Sequence, residues 1–402
     1  MKRLINKILF GLTLTGGSLG LHSCGDWLDI NSNELAATKT EAGYLFNYAA
    51  INYSSKRVGG DQWLPIIYAA QVASDADNWF VGADMYNIST YSTGNGWVTS
   101  YSSCGYNLLK AIEFATGEND SNSVAQCKIL LANTVWESSM LYGDIPYSEA
   151  WNIEGTQTPK FDTQKDVFYS VIGLLDEALD GIDESNSKRI DKYDIYYTGD
   201  MAKWRRLGNS LKLKFYMYLA NKEDVGDEIK AIIDGGELMN SSADDFVFPF
   251  YTTPGNQNPN YQLTVQYPDY YEYCFFANPT VLDPMKALDD PRIPIYFRAN
   301  ADGEYISLEA SEKGSVVTDK EISEKPSLCT EAVFQKNNLL RADYPDVICS
   351  YAETMFYVAE AYVRGLGVAK DLAQADAAYR KGIELMMQNL LSILAGLKVQ
   401  PM

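Results

Sequence analysis

Two clusters of aromatic side chains set among amides hold the most evident chemistry in this chain. Between 78 and 97 lie Asn78, Trp79, Phe80, Tyr86, Asn87, Tyr91 and Trp97, amid Gly, Ser and Thr. Between 267 and 276 lie Tyr267, Tyr270, Tyr271, Tyr273, Phe275 and Phe276. An indole or phenol face covers the apolar face of a ring-shaped ligand, while Asn, Gln and Asp side chains satisfy its hydroxyls. Such a site holds its ligand without changing it. No helical spacing accounts for the first cluster, which favours Trp79 and Trp97 as stacking platforms with Tyr86 and Asn87 supporting them. Tyr270 and Tyr273 are the candidates for a facing wall. Core packing is the competing reading of both clusters, because consecutive tyrosines cannot all point one way.

Reactive chemistry is harder to assemble. The single histidine is His22, inside a leader-like segment, so triads, zinc–histidine sites and histidine bases have no imidazole to draw on. A glycoside hydrolase needs two carboxylates about 5–9.5 Å apart across the scissile bond. Asp75-x-Asp77 could be cast for that pair, yet nothing among 53 acidic residues singles it out. With 33 basic residues the formal charge is −20, and no basic stripe offsets it, which excludes nucleic acid as a partner. Cys104, Cys127, Cys274, Cys329 and Cys349 are widely spaced and form no C-x-x-C pair, unlike a disulfide scaffold or thiolate metal site. No calcium loop of the D-x-[DN]-x-[DN]-G form occurs, and no cofactor is implied.

The N-terminus supplies an attachment instead. Lys2, Arg3 and Lys7 precede an apolar run from Ile8 to Leu21, too short for the roughly 20 residues a spanning helix needs and right for a signal peptide. Leu21-His22-Ser23-Cys24 then resembles a bacterial lipobox, which makes residues 1–23 a leader and Cys24 the acylated residue. The alternative is an ordinary secretory leader with a chance cysteine at its end. Several acyl chains anchor a protein stably where one does not. Asp26 and Asp29 follow at once, resembling the export signal of Bacteroidetes-type surface lipoproteins, and residues 24–40 read as a polar tether.

Helices must position whatever site exists. Trp204, Leu207, Leu211, Phe215 and Tyr218 recur at spacings of three and four, which predicts a helix over 201–220 with Trp204 in the core. Similar spacing predicts helices over 164–179, 123–140 and 227–234, the last stopped by Gly235-Gly236. Ser350 and Glu353 form a capping-box pattern ahead of a further helix, and another spans 372–394. Ala359, Ala361, Ala375 and Ala378 let those two pack closely, like one tetratricopeptide hairpin. Residues 241–349 differ: they carry most of the prolines, so long helices cannot persist, and an irregular segment laid across the scaffold is expected.

Five stretches in order resemble the SusD/RagB family of outer-membrane lipoproteins, in the branch described as starch-binding associating with the outer membrane. They are SCGDWLDINSN from Ser23, LYGDIPYSEAW at 141–151, TPKFDTQKDVFYSVIGLLDEAL at 158–179, GDMAKWRRLGNSLKLKFYMYLA at 199–220 and SYAETMFYVAEAYVRG at 350–365. Within them Asp144 reads as a local cap, Arg205 and Arg206 as scaffold ion pairs, and Tyr142, Tyr147 and Trp151 as packing of the loop after Gly143. The resemblance implies a mainly α fold, a tetratricopeptide-like helical-hairpin scaffold with a loop-rich irregular subdomain. The scaffold falls at 41–240 and 350–395 and the insertion at about 241–349 of a single domain, 41–402. It also implies a nutrient binder, for glycan or oligosaccharide, that delivers to a SusC-like TonB-dependent outer-membrane transporter, lipid-anchored and facing outward. The alternatives are a structural or peptide-binding surface protein and, further off, a glycoside hydrolase. Family members usually continue past the last hairpin, so the end at Met402 raises a truncated frame as an expectation.

Overall fold

The computed structural model describes residues 40–59, 73–75, 90–152, 154–266, 275–300, 302–309, 333–334 and 341–394. Cys24, Trp79, Tyr86, Asn87, Tyr270 and Tyr273 lie outside them, as does Asp77. The scaffold belongs to a compact unit beginning at Glu41.

Helices stand wherever the apolar periodicity predicts them, and others precede them. They are α1 (Ala42–Gly59), α2 (Thr90–Val98), a π-helical run (Thr99–Tyr106), α3 (Asn107–Gly117), α4 (Ser121–Tyr142), α5 (Gln164–Gly181), α6 (Met201–Leu219) and α7 (Gly226–Gly235). Side-chain oxygens begin several of them: Asp120, Thr163 and Asp200 each accept the amide three residues on, filling donors that the first turn leaves unpaired. Asp144 caps from outside, accepting the Gln164 amide at 2.8 Å. Arg205 closes the other end of α5, donating to the Leu179 and Ile182 carbonyls and pairing with Glu184. Arg206 makes a bidentate pair with Asp244 at 2.8 and 2.9 Å. Both arginines thus hold the scaffold together, as their positions suggest.

Between α7 and the last hairpin the chain is short-stepped, and one strand from between α1 and α2 joins its sheet. Strands β1 (Ala73–Asp75), β3 (Phe275–Ala277), β4 (Phe297–Arg298) and β5 (Val333–Phe334) form a sheet in the order β1-β3-β5-β4, antiparallel throughout. A separate pair joins β2 (Phe246–Phe248) to β6 (Asp346–Cys349). Three short helices, α8 (Pro259–Gln266), α9 (Pro279–Ala287) and α10 (Ile293–Tyr296), interrupt the irregular chain. Proline near a first turn is tolerated because its missing N–H is one the helix cannot use. The last hairpin pairs α11 (Tyr351–Arg364) with α12 (Leu372–Leu394). Phe356 packs on Tyr379, with ring centroids 5.7 Å apart, and a Cβ on Gly382 would strike the Phe356 ring, so the two helices meet closely. Ser350 caps α11 by accepting the Glu353 amide. Glu353 does not complete the box: its carboxylate takes Lys214 at 2.9 Å and the Tyr357 hydroxyl at 2.8 Å.

Asp245 ties the two parts at a buried point. Its carboxylate accepts the Tyr351 amide at 2.7 Å and the Asn389 side-chain amide at 2.9 Å. Burial outweighs those donors and pushes the carboxyl up to about 6. The native state therefore binds a proton more readily than the unfolded chain, and this residue's share of stability grows as pH falls from 7 toward 4. Asp245→Asn removes that dependence. Urea melts should show the variant's advantage over wild type shrinking by on the order of 2–3 kcal/mol between pH 7 and pH 4; parallel pH profiles would refute the assignment.

Candidate functional site

One segment departs from the expected irregularity. Residues 90–98 are helical, although TYSTGNGWV has two glycines and little intrinsic helix preference. Tertiary packing supplies the stability: α2 runs into the π-helical segment and α3 without a break, and that segment packs on α1 and α4. Trp97 thus stands on a helix, half-buried, and not in a loop. The π-helical run that follows admits an extra residue per hydrogen-bonded turn, a feature frequent at functional sites.

Trp97 is the first ring of a wall. Its indole lies 4.8 Å from the Tyr101 ring at 36°, and 6.3 Å from Phe161 at 28°. Tyr101 in turn lies 5.3 Å from Trp151 at 33°. Four rings therefore follow one another, Phe161–Trp97–Tyr101–Trp151, each turned by about a third of a right angle from the last. Behind them Tyr142 meets Trp97 at 79° and Tyr147 meets Trp151 at 90°, edge contacts that fix the wall. The rings border an open cavity of about 580 Å³, completed by Tyr106, Ser102, Pro146, Ala150 and Pro159. None of these side chains carries a charge.

The loop from Gly143 to Asp162 brings the two outer rings, Phe161 and Trp151, to the inner pair. Gly143 ends α4 at φ +76°, where a side chain would be strained. Ile145 and Asp162 exchange backbone hydrogen bonds and close the loop. Burial raises the Asp162 carboxyl, but donors from Ser148 and Tyr147 prevail and hold it at about 2. Tyr101 donates its hydroxyl to the Pro146 carbonyl at 2.7 Å, and Trp151 donates Nε1 to the Tyr101 carbonyl at the same distance. Burial pushes the Tyr101 hydroxyl up, so it stays a donor. Trp151 sits at φ +61°, a left-handed conformation that costs a non-glycine residue about 1–2 kcal/mol.

Of the residues expected to form the site, Trp97 is in this wall, while Trp79, Tyr86, Asn87, Tyr270 and Tyr273 fall outside the described residues. Trp151 and Tyr142 do pack the loop, but Trp151 also borders the cavity. Tyr101, Phe161 and Tyr106 were not indicated by spacing. Among the described residues no three acidic, cysteine or histidine side chains converge on a metal position.

The family described as starch-binding associating with the outer membrane, SusD-like, matches residues 33–395. The chain belongs to this family. Among solved structures, a SusD homolog from Bacteroides fragilis is 25% identical, with a TM-score of 0.67 over 89% of this chain and 76% of that one. A SusD/RagB family protein from Bacteroides thetaiotaomicron is 21% identical, with a TM-score of 0.72 over 89% and 74%. A third, described as a chitin-binding protein, is 21% identical at TM-score 0.71 over 88% and 76%. No match is found among curated proteins. SusD-like proteins are non-catalytic, and this one is a surface nutrient-binding protein that works with a TonB-dependent transporter. Among its described residues no helix is long and apolar enough to cross a membrane.

Proposed function

We propose that this SusD-like chain is acylated at Cys24, faces outward from the outer membrane, and captures an uncharged glycan on the wall formed by Phe161, Trp97, Tyr101 and Trp151. The observation that carries this reading is the wall itself: four rings in succession beside a cavity large enough for sugar rings, with no charged side chain among the described residues that line it. Pyranose faces are apolar and their rims polar, which matches ring faces flanked by Ser102 and the Tyr106 hydroxyl. The family's description as starch-binding, and that of one similar structure as chitin-binding, support the same class of ligand. Trp79, Tyr86, Asn87, Tyr270 and Tyr273 remain part of the proposal as further contacts. The bound glycan then passes to a SusC-like barrel.

Affinity electrophoresis tests the capture step. Native gels cast with soluble starch or glycol chitin should retard the wild type, and Trp151→Ala should run as in a blank gel. Equal retardation of both would exclude the wall as the site. The anchor is tested separately. Cys24→Ser is expected to abolish palmitate labelling and move the protein out of the membrane fraction; undiminished labelling of the variant would rule out acylation at that residue. Extraction of wild-type membranes in mild detergent should bring a large β-barrel along with the protein.

A further inference from the structure

We propose that Gly105 is a positioning residue of the aromatic wall, the residue whose missing Cβ lets the Trp151 indole lie against the π-helical run and align with Tyr101. This rests on the reading of the wall as the glycan site. Gly105 is buried within Thr99–Tyr106, and the Trp151 ring is seated on it. A Cβ built there would overlap Cζ2, stand 2.6 Å from Cε2 and 2.9 Å from Nε1 of that indole. These are atoms of the ring body, not the end of a flexible chain.

The indole cannot withdraw without giving up the contacts that hold it. Its Nε1 is committed to the Tyr101 carbonyl at 2.7 Å, its backbone is already left-handed, and the Tyr147 ring stands edge-on to it at 6.4 Å. Added bulk at Gly105 therefore breaks the Nε1 bond and tips the ring out of line with Tyr101. Glycine is not a general requirement of this helix. A Cβ at Gly94 or Gly117, in the same continuous run, would meet nothing within 4 Å. The glycine requirement is local to the Trp151 contact, and so the extra π turn and the empty Cβ position together convert a loop tryptophan into a ligand platform.

The test compares Gly105→Ala, Gly94→Ala, Trp151→Phe and the Gly105→Ala/Trp151→Phe double variant in the full-length protein. Calorimetric titration with maltoheptaose and chitohexaose reads affinity, and the indole N–H resonance of Trp151, assigned by its loss in Trp151→Phe, reads the hydrogen bond. Gly105→Ala should weaken binding at least tenfold and move that resonance, whereas Gly94→Ala should change neither. Phenylalanine lacks Cζ2 and Nε1, so in the Trp151→Phe background adding Gly105→Ala should cost less than threefold. Wild-type affinity in Gly105→Ala, or an equal loss in both backgrounds, overturns the inference while the wall remains the site. If Gly105→Ala does not fold, the double variant must fold, and its failure to do so likewise overturns it. If neither sugar binds the wild type, the reading of the wall falls and this inference with it.

Discussion

Trp204→Ala is expected to destabilise the protein by about 3–5 kcal/mol, the range for emptying a large buried aromatic site. Trp204 is fully buried on α6, and Phe46, Tyr196, Tyr197 and Phe246 surround it with ring centroids 5.3 to 6.1 Å away. Its Nε1 donates to Asp194 at 2.8 Å. The same carboxylate accepts from Gln126, from the amides of Tyr196 and Tyr197, and from that of Gly199. Alanine thus opens a cavity and also withdraws a donor from a buried charge whose carboxyl burial already raises. Trp204→Phe keeps most of the buried area and should cost roughly 1.5–3 kcal/mol, the worth of a hydrogen bond to a charged group. Urea denaturation distinguishes them by midpoint, with unchanged slope if the unfolded state is the same. A Trp204→Ala midpoint within error of wild type would contradict the packing described here.

Arg57→Ala should be nearly as damaging, by about 3–5 kcal/mol, because it strands the buried Asp346 carboxylate and the largely covered Glu137 carboxylate rather than opening a hydrophobic void. Arg57 at the end of α1 pairs with Glu137 on α4 and with both oxygens of Asp346 on β6, at 3.1 and 3.2 Å to the latter. Asp346 is 3% exposed, and burial pushes its carboxyl up while Arg57 pulls it back. Without the guanidinium that opposition ends, so Asp346 should hold a proton to a higher pH. The variant should therefore regain stability relative to wild type as pH falls from 7 to 5. Arg57→Ala combined with Glu137→Gln and Asp346→Asn should recover part of the loss at pH 7. A loss that is the same at both pH values, with no recovery in the triple variant, would mean that the cost is not electrostatic.

The scaffold was legible because its signals are local. Trp204, Leu207, Leu211 and Phe215 announce a buried helix face through spacing alone, and all four are fully buried. Ser350 announced its cap, and Arg205 and Arg206 their ion pairs. The wall was legible only in part. Trp97, Tyr101, Trp151 and Phe161 are brought together by the loop closed at Ile145 and Asp162, and no local pattern encodes a contact across 50 residues. Nor does TYSTGNGWV look helical; its helix runs on from the π-helical segment, and that segment is the part held against α1 and α4. The π turn and the left-handed backbone of Trp151 leave no mark in residue type, except that Gly105 is a glycine where only a glycine fits.

The measurement that bears most directly on the binding site is calorimetric titration of Phe161→Ala against maltoheptaose and chitohexaose, alongside Trp79→Ala. Phe161 is 64% exposed, so its removal should change stability by no more than about 0.5 kcal/mol. Any lost affinity then reports contact with the ligand and not disturbed folding. The expected result is a loss of about tenfold, ~1.4 kcal/mol, for the sugar that the wild type binds, with an unchanged melting temperature. Wild-type affinity in Phe161→Ala together with abolished binding in Trp79→Ala would contradict it, and would place the ligand away from the wall.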